Sequence, residues 1–172
     1  FTQFSPVNVV VSFSDNATPS FTNTNRFSFV AVGATAGSDV VAYQSGGWRF
    51  RQVGSGQLPG FEVGAEPAGF AEGAGGFGSG GTCPLDSTVH TPWTPNTDLL
   101  LRRALVLPSG IDHLEVGVAV DNDVQAWFNG TDVSGGMQQS ENCAVSDRFI
   151  FQIPQSLVRV GENLLALRVV DR

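Results

Sequence analysis

The chain has 172 residues, 41% of them apolar, and sixteen carboxylates against nine cations give a formal net charge of −7. All nine cations are arginine, and no basic cluster is available to track a phosphate backbone or an anionic bilayer, so nucleic-acid binding and membrane-surface attachment are disfavoured. No apolar run approaches the ~20 residues that cross a bilayer, and a length in the usual range for one domain, with this apolar content, points to a single folded unit over 1–172 rather than disorder or two domains.

In chain order, Phe1 to Pro6 lacks the basic and apolar regions of a secretory leader, and a start at phenylalanine fits a processed protein or an excised fragment. Val7 to Phe13 alternates cleanly enough for a strand, with Val7, Val9, Val11 and Phe13 on one face. Further strands are expected at Phe27–Val32, Asp39–Tyr43 and Trp48–Val53, each bounded by Asn, Ser, Gly or Pro. From about 54 to 96 the chain turns glycine-rich, with Phe61, Phe70, Phe77 and Trp93 interspersed. A structureless loop of that length is improbable in a compact domain, so the isolated rings are expected to pin a long connection onto the body of the fold.

Thr97–Pro108 reads as a long strand, and Leu114–Val120, Val124–Phe128, Arg148–Ile153 and Asn163–Val170 follow at the close spacing of a sandwich or barrel. No segment longer than about ten residues holds a capped helical period. The chain is therefore expected to be all-β, with Asn129-Gly130 its strongest hairpin signal because both residues tolerate positive φ.

Val118 to Gly130, with its Asp121, Val124 and terminal Asn129-Gly130, and Gly161-Glu162-Asn163-Leu164-Leu165-Ala166-Leu167-Arg168-Val169-Val170 resemble elements of the galactose-binding-like jelly-roll domains, including the sugar-binding domain that accompanies many glycoside hydrolases. Phe77-Gly78-Ser79-Gly80 and Thr97 to Pro108 stand where that family carries two further elements, with Ala104 in place of its usual aromatic. The resemblance implies an antiparallel jelly-roll β-sandwich, a structural role for Asn129 and Asn163 at one corner, and a structural calcium in the early loops, for which Asp15, Asn16 and Asp39 are the available residues. It also implies an accessory rather than catalytic module.

The residues themselves carry no catalytic set: no G-x-S-x-G elbow exposes a serine, and His90 and His113 have no ligand or base partner at a meaningful spacing. Asp121-Asn122-Asp123 lacks the further ligands of an EF-hand and reads as a turn. Cys83 and Cys143 lie in Gly/Ser-rich or polar surroundings, which favours a disulfide between two loops, stabilising by on the order of 4 kcal/mol, over two free thiols. Gln125 and Trp127 share the strand face opposite Val124, Ala126 and Phe128. On an open face the indole would stack on a sugar and the amide bind its hydroxyls; the alternative packs Trp127 under the glycine-rich loop. Trp93 is a second aromatic candidate, and the polar loop 131–142 adds Asp132 and Gln138 as ligand-binding candidates, since loops at a sandwich end are where such folds recognise ligands.

The expected function is thus a non-catalytic, extracellular or surface carbohydrate-binding module for glycans. Its alternative is a structural surface or assembly protein, such as a virion decoration or tail component or an extracellular filament subunit, that uses the sandwich for protein–protein contacts or self-assembly. The sequons Asn16-Ala17-Thr18 and Asn129-Gly130-Thr131 carry meaning only in a glycosylating host.

Overall fold

The computed structural model describes residues 8–13 (backbone only), 40–41, 44–55, 59–79, 89–145 and 148–172. The described residues form β1 (Asn8–Phe13), β2 (Trp48–Gly54), β3 (Ala71–Gly73), β4 (Phe77–Gly78), β5 (Thr91–Pro92), β6 (Thr97–Leu107), β7 (Leu114–Ala119), β8 (Asp123–Phe128), β9 (Thr131–Asp132), β10 (Phe149–Ile153) and β11 (Gly161–Val170). One 3-10 turn at Gln155–Leu157 interrupts them. Six strands pair in the order β3-β2-β6-β11-β8-β9 and three in the order β1-β7-β10, every neighbour antiparallel. A short parallel pair, β4 with β5, lies apart from them.

The all-β expectation holds, and the period-2 patterns explain why. Leu99, Leu101, Leu105 and Leu107 of β6, Val124, Ala126 and Phe128 of β8, and Leu165, Leu167 and Val169 of β11 turn to one side of the large sheet. There they share a buried cluster with Leu114, Val116 and Val118 of β7 and with Phe151 and Ile153 of β10. The register places Val9, Val11 and Phe13 of β1 opposite Val118, Val116 and Leu114.

The far side of the large sheet is covered as well. Leu100, Ala166, Val53 and Trp127 form a second buried cluster with Phe61 and Phe70, which belong to a strap over residues 59–70. This double burial accounts for the unbroken run Leu99-Leu100-Leu101, since a strand covered on both faces has no polar side to alternate with.

The glycine-rich connection is therefore built rather than loose in its described parts. Phe61, Phe70, Phe77 and Trp93 are all buried, as the ring-pinning expectation requires, and β3, β4 and β5 lie between them. Thr91 Oγ1 accepts the Ala74 N–H at 3.0 Å and donates to the Ala74 carbonyl at 2.8 Å, fastening the segment before β4. The hairpin forms as its turn residues dictate: Asn129 and Gly130 adopt φ of 50° and 82°, and Phe128 pairs with Thr131 across them.

The expected strand at Phe27–Val32 falls outside the described residues, as do Asp15, Asn16 and Asp39 of the calcium expectation and all of the Asn16 sequon. Of Asp39–Tyr43 only Val40 and Val41 are described, and Val41 is fully buried in the main cluster. Cys83 also lies outside the described residues; Cys143 is half-buried and is not a free thiol.

Candidate functional site

The polar residues singled out on β8 and the loop beyond it come together at the β9 edge of the large sheet. The turn at Asn129-Gly130 returns the chain so that Asp132 stands opposite Trp127, and the chain then wraps back until Gln138 bridges to Val124 with paired backbone hydrogen bonds of 2.9 and 2.8 Å. Between these anchors Asp132 organises the loop. Its Oδ1 accepts the backbone N–H groups of Ser134 and Gly135 and the Ser134 hydroxyl, each at 2.9 Å. Its Oδ2 accepts the Gly136 N–H at 3.0 Å and the Gln125 side-chain amide at 2.7 Å. Burial pushes the Asp132 carboxyl up, but the hydrogen bonds from Gln125, Ser134 and Gly136 together hold it below the ordinary carboxylate range. Gly135 and Gly136, at φ of 69° and 99°, supply the left-handed conformations that aim both N–H groups at one carboxylate.

Two amide side chains border this loop with part of their capacity unspent. Gln125 Nε2 donates to Asp132 and Gln138 Nε2 to the Ser134 carbonyl at 2.8 Å, which fixes each amide plane. Neither Oε1 has a hydrogen-bond partner among the described residues, and neither is among the buried polar atoms left without one. Each therefore keeps an uncommitted acceptor that is not sealed from solvent, on a group held by one hydrogen bond, together with the second N–H of the amide. Asp132, by contrast, accepts five hydrogen bonds, four from its own loop and one from Gln125 of β8, and these shape the loop around it.

The aromatic candidates take different places. Trp127 does lie on the face opposite Val124, Ala126 and Phe128, but the strap covers it: it is 7% exposed and meets Phe61 edge-on, ring centroids 5.6 Å apart. Of the two placements that the strand pattern allows, the structure has the second, in which Trp127 packs beneath the glycine-rich connection with Phe61 and Phe70 in one buried cluster and offers no open stacking platform. Trp93 is likewise buried, with its indole N–H shared between the carbonyl and hydroxyl of Thr97 at 3.2 and 3.1 Å. Trp48 is buried in the main cluster under the Arg103 guanidinium, which stands 5.4 Å from its ring.

Among the described residues, four arginines reach backbone carbonyls. Arg49 reaches Phe70 O, Arg51 reaches Ala68 O, Arg102 reaches the carbonyls of Phe61, Gly64 and Ala65, and Arg103 reaches Gly46 O. Guanidinium suits this task because its planar fork addresses several acceptors at once, where an ammonium acts as a point charge. Arg168 instead pairs with the buried Asp98 at 2.6 Å, and Arg172 bonds both oxygens of Asp123 at 2.8 Å.

A second polar cluster sits where β11 ends. Burial raises the carboxyls of Asp121 and Asp171, the first further so because Asp171 is near. Asp171 accepts the Asn96 N–H at 2.6 Å, and Asn122 Oδ1 accepts the Arg172 N–H at 2.9 Å, so the group ties the end of β11 to the β7–β8 turn. This is the turn expected at Asp121-Asn122-Asp123, and no group of three metal-ligating side chains occurs among the described residues. At the opposite corner Asn129 and Asn163 are fully engaged: Asn129 Nδ2 donates to Leu157 O and to Asn163 Oδ1, each at 2.8 Å, and Asn129 Oδ1 accepts the Leu164 N–H at 2.8 Å. His113 has its Nε2 3.4 Å from Glu115, which also accepts from Gln152 on the neighbouring strand.

No protein-family model matches the chain, and no curated protein or solved structure matches it either.

Proposed function

We propose that the chain is a non-catalytic carbohydrate-binding module of the galactose-binding-like jelly-roll kind, working outside the cell or on a particle surface, and that it recognises glycan hydroxyls at the β8–β9 corner. The observation that carries this reading is the pair of glutamine amides, Gln125 and Gln138. Both are held in place by one hydrogen bond each and both keep an uncommitted oxygen that is not sealed from solvent. A sugar hydroxyl donates and accepts in the geometry that a carboxamide complements. Groups locked before binding spare the ordering cost that mobile side chains would incur. The Asp132 loop supports this by holding its glycines and Ser134 around one carboxylate. With Trp127 and Trp93 buried, recognition rests on hydrogen bonding in place of ring stacking, a mode of modest affinity suited to multivalent surface glycans.

The test is a glycan-array screen of the purified protein, run with calcium and with chelator, followed by the Gln125→Ala and Gln138→Ala variants. Hits lost in both variants, with melting temperature retained, support the reading; hits indifferent to both refute it.

The assembly reading is favoured by a different observation. Val106 and Val160 are 73% and 74% exposed, and Ile150 lies exposed on β10, at an edge of the small sheet. Such residues suit a protein–protein contact. Sedimentation separates the two, because an assembly subunit self-associates and a sugar module stays monomeric.

A further inference from the structure

The strap over residues 59–70 has an unusual mode of attachment. Among the described residues no backbone-to-backbone hydrogen bond joins it to the strands beneath. It is held by the rings of Phe61 and Phe70 against Trp127, by Val63 lying close on Gly130, and by arginines rising from β2 and β6.

These arginines are not equivalent. Arg49 meets Glu66 through two bonds of 2.9 and 2.8 Å and Phe70 O at 2.9 Å from a part-exposed position, and Arg51 makes one exposed 3.1 Å bond to Ala68 O, contacts in reach of water and of smaller worth. Arg102 is 6% exposed and has no carboxylate bonded to it. Its Nη1 lies 2.5 Å from Phe61 O and 3.4 Å from Ala65 O, and its Nη2 lies 2.6 Å from Gly64 O. Three carbonyl dipoles of one turn converge on one cation, and Gly64 at φ of 60° helps bend the turn so that they can. Glu62, in the same turn, has a buried carboxylate oxygen without a hydrogen-bond partner. Burial lowers the Arg102 pKa, and the charges of Glu66 and Glu62 only partly offset it.

We propose that the Phe61–Ala65 turn is a cation-receiving cradle, that the Arg102 guanidinium is its resident cation, and that this contact is the latch holding the strap over Trp127. The guanidinium addresses the carbonyls of residues 61, 64 and 65 from two nitrogens of one planar fork, where an ammonium would present a single donor atom, which is a physical use for arginine at this position. Without the guanidinium, the turn confronts the strand with three carbonyls and a carboxylate and no counter-charge. The strap then opens as a unit, while the ladder of β2, β6 and β11, which it does not share, remains.

The experiment is chemical rescue of Arg102→Ala, read by a glutamate-specific protease with mass mapping of the cut after Glu62, since the Glu66-Pro67 bond resists such a protease. Cleavage after Glu62 should accelerate by at least about tenfold in the variant while the far-UV spectrum of the sheet is kept, because cleavage follows the open population. Guanidinium chloride at sub-denaturing concentration should restore protection, and sodium chloride at equal ionic strength should not. Arg51→Ala should stay within about twofold of the wild type, in line with the small worth of an exposed contact. Three outcomes overturn the proposal: unchanged strap cleavage in Arg102→Ala, loss of the whole folded spectrum in place of local opening, or failure of guanidinium to restore protection.

Discussion

Replacing Trp127 with alanine separates the two roles that its position in the strand allows. The ring is 7% exposed and packs in one cluster with Phe61, Phe70, Val53, Leu100 and Ala166. Truncating a buried tryptophan costs roughly 3–5 kcal/mol, the sum of lost transfer energy and the cavity left behind. For a chain of this size each kcal/mol lowers the melting temperature by about 2–4 °C, so the loss should fall between about 6 and 20 °C. Trp127→Phe should lose less, since a phenyl ring can keep the edge-on contact with Phe61. Calorimetric or far-UV melting of the wild type and both variants supplies the test. A Trp127→Ala melting temperature within about 2 °C of the wild type, the range of a surface substitution, would refute the burial argument and return the ring to the surface.

Cys83→Ser and Cys143→Ser should lower the melting temperature by similar amounts, as expected if each removes the same cross-link; two titratable thiols in the native protein would exclude the pairing. For Asp132 the folded-state carboxyl lies below its ordinary value of 3.8, so its stabilisation is complete above that pH and is lost as the pH falls through the lower folded value. The deficit in melting temperature of Asp132→Asn against the wild type should therefore be full near neutrality and shrink at acid pH, and a deficit independent of pH would count against the charge-assisted loop. Expression in a glycosylating host should leave Asn129 unmodified, since both ends of its side chain are bonded within the corner. A glycan found at Asn129 by peptide mass mapping would contradict that geometry.

The late strands were legible because Thr97–Leu107 and the segments after Leu114 alternate or run apolar within limits set by turn residues, and burial acts on just those periods. The hairpin was legible from Asn129-Gly130 alone. What covers the outer face was not, because Phe61 and Phe70 carry no period: their burial depends on a strap meeting β6, β8 and β11 from far along the chain. Strand periodicity put Trp127 on its correct face but could not say whether that face was open. Asp132 and Gln125 stand out in the sequence as polar residues, yet their bond to one another follows only from the two-residue turn that sets Trp127 against Asp132. The arginine contacts were invisible for a related reason, since carbonyl acceptors leave no mark on the identity of the residues that own them.

The claim that sugar is recognised by amides on a preorganised loop is tested most directly by following side-chain NH2 resonances during titration with the strongest sugar from the array. Saturable shifts in Gln125 and Gln138, with the indole signals of Trp127 and Trp93 unmoved, are the predicted result. A blank array, or shifts confined to the indoles or to residues remote from the β8–β9 corner, would contradict it.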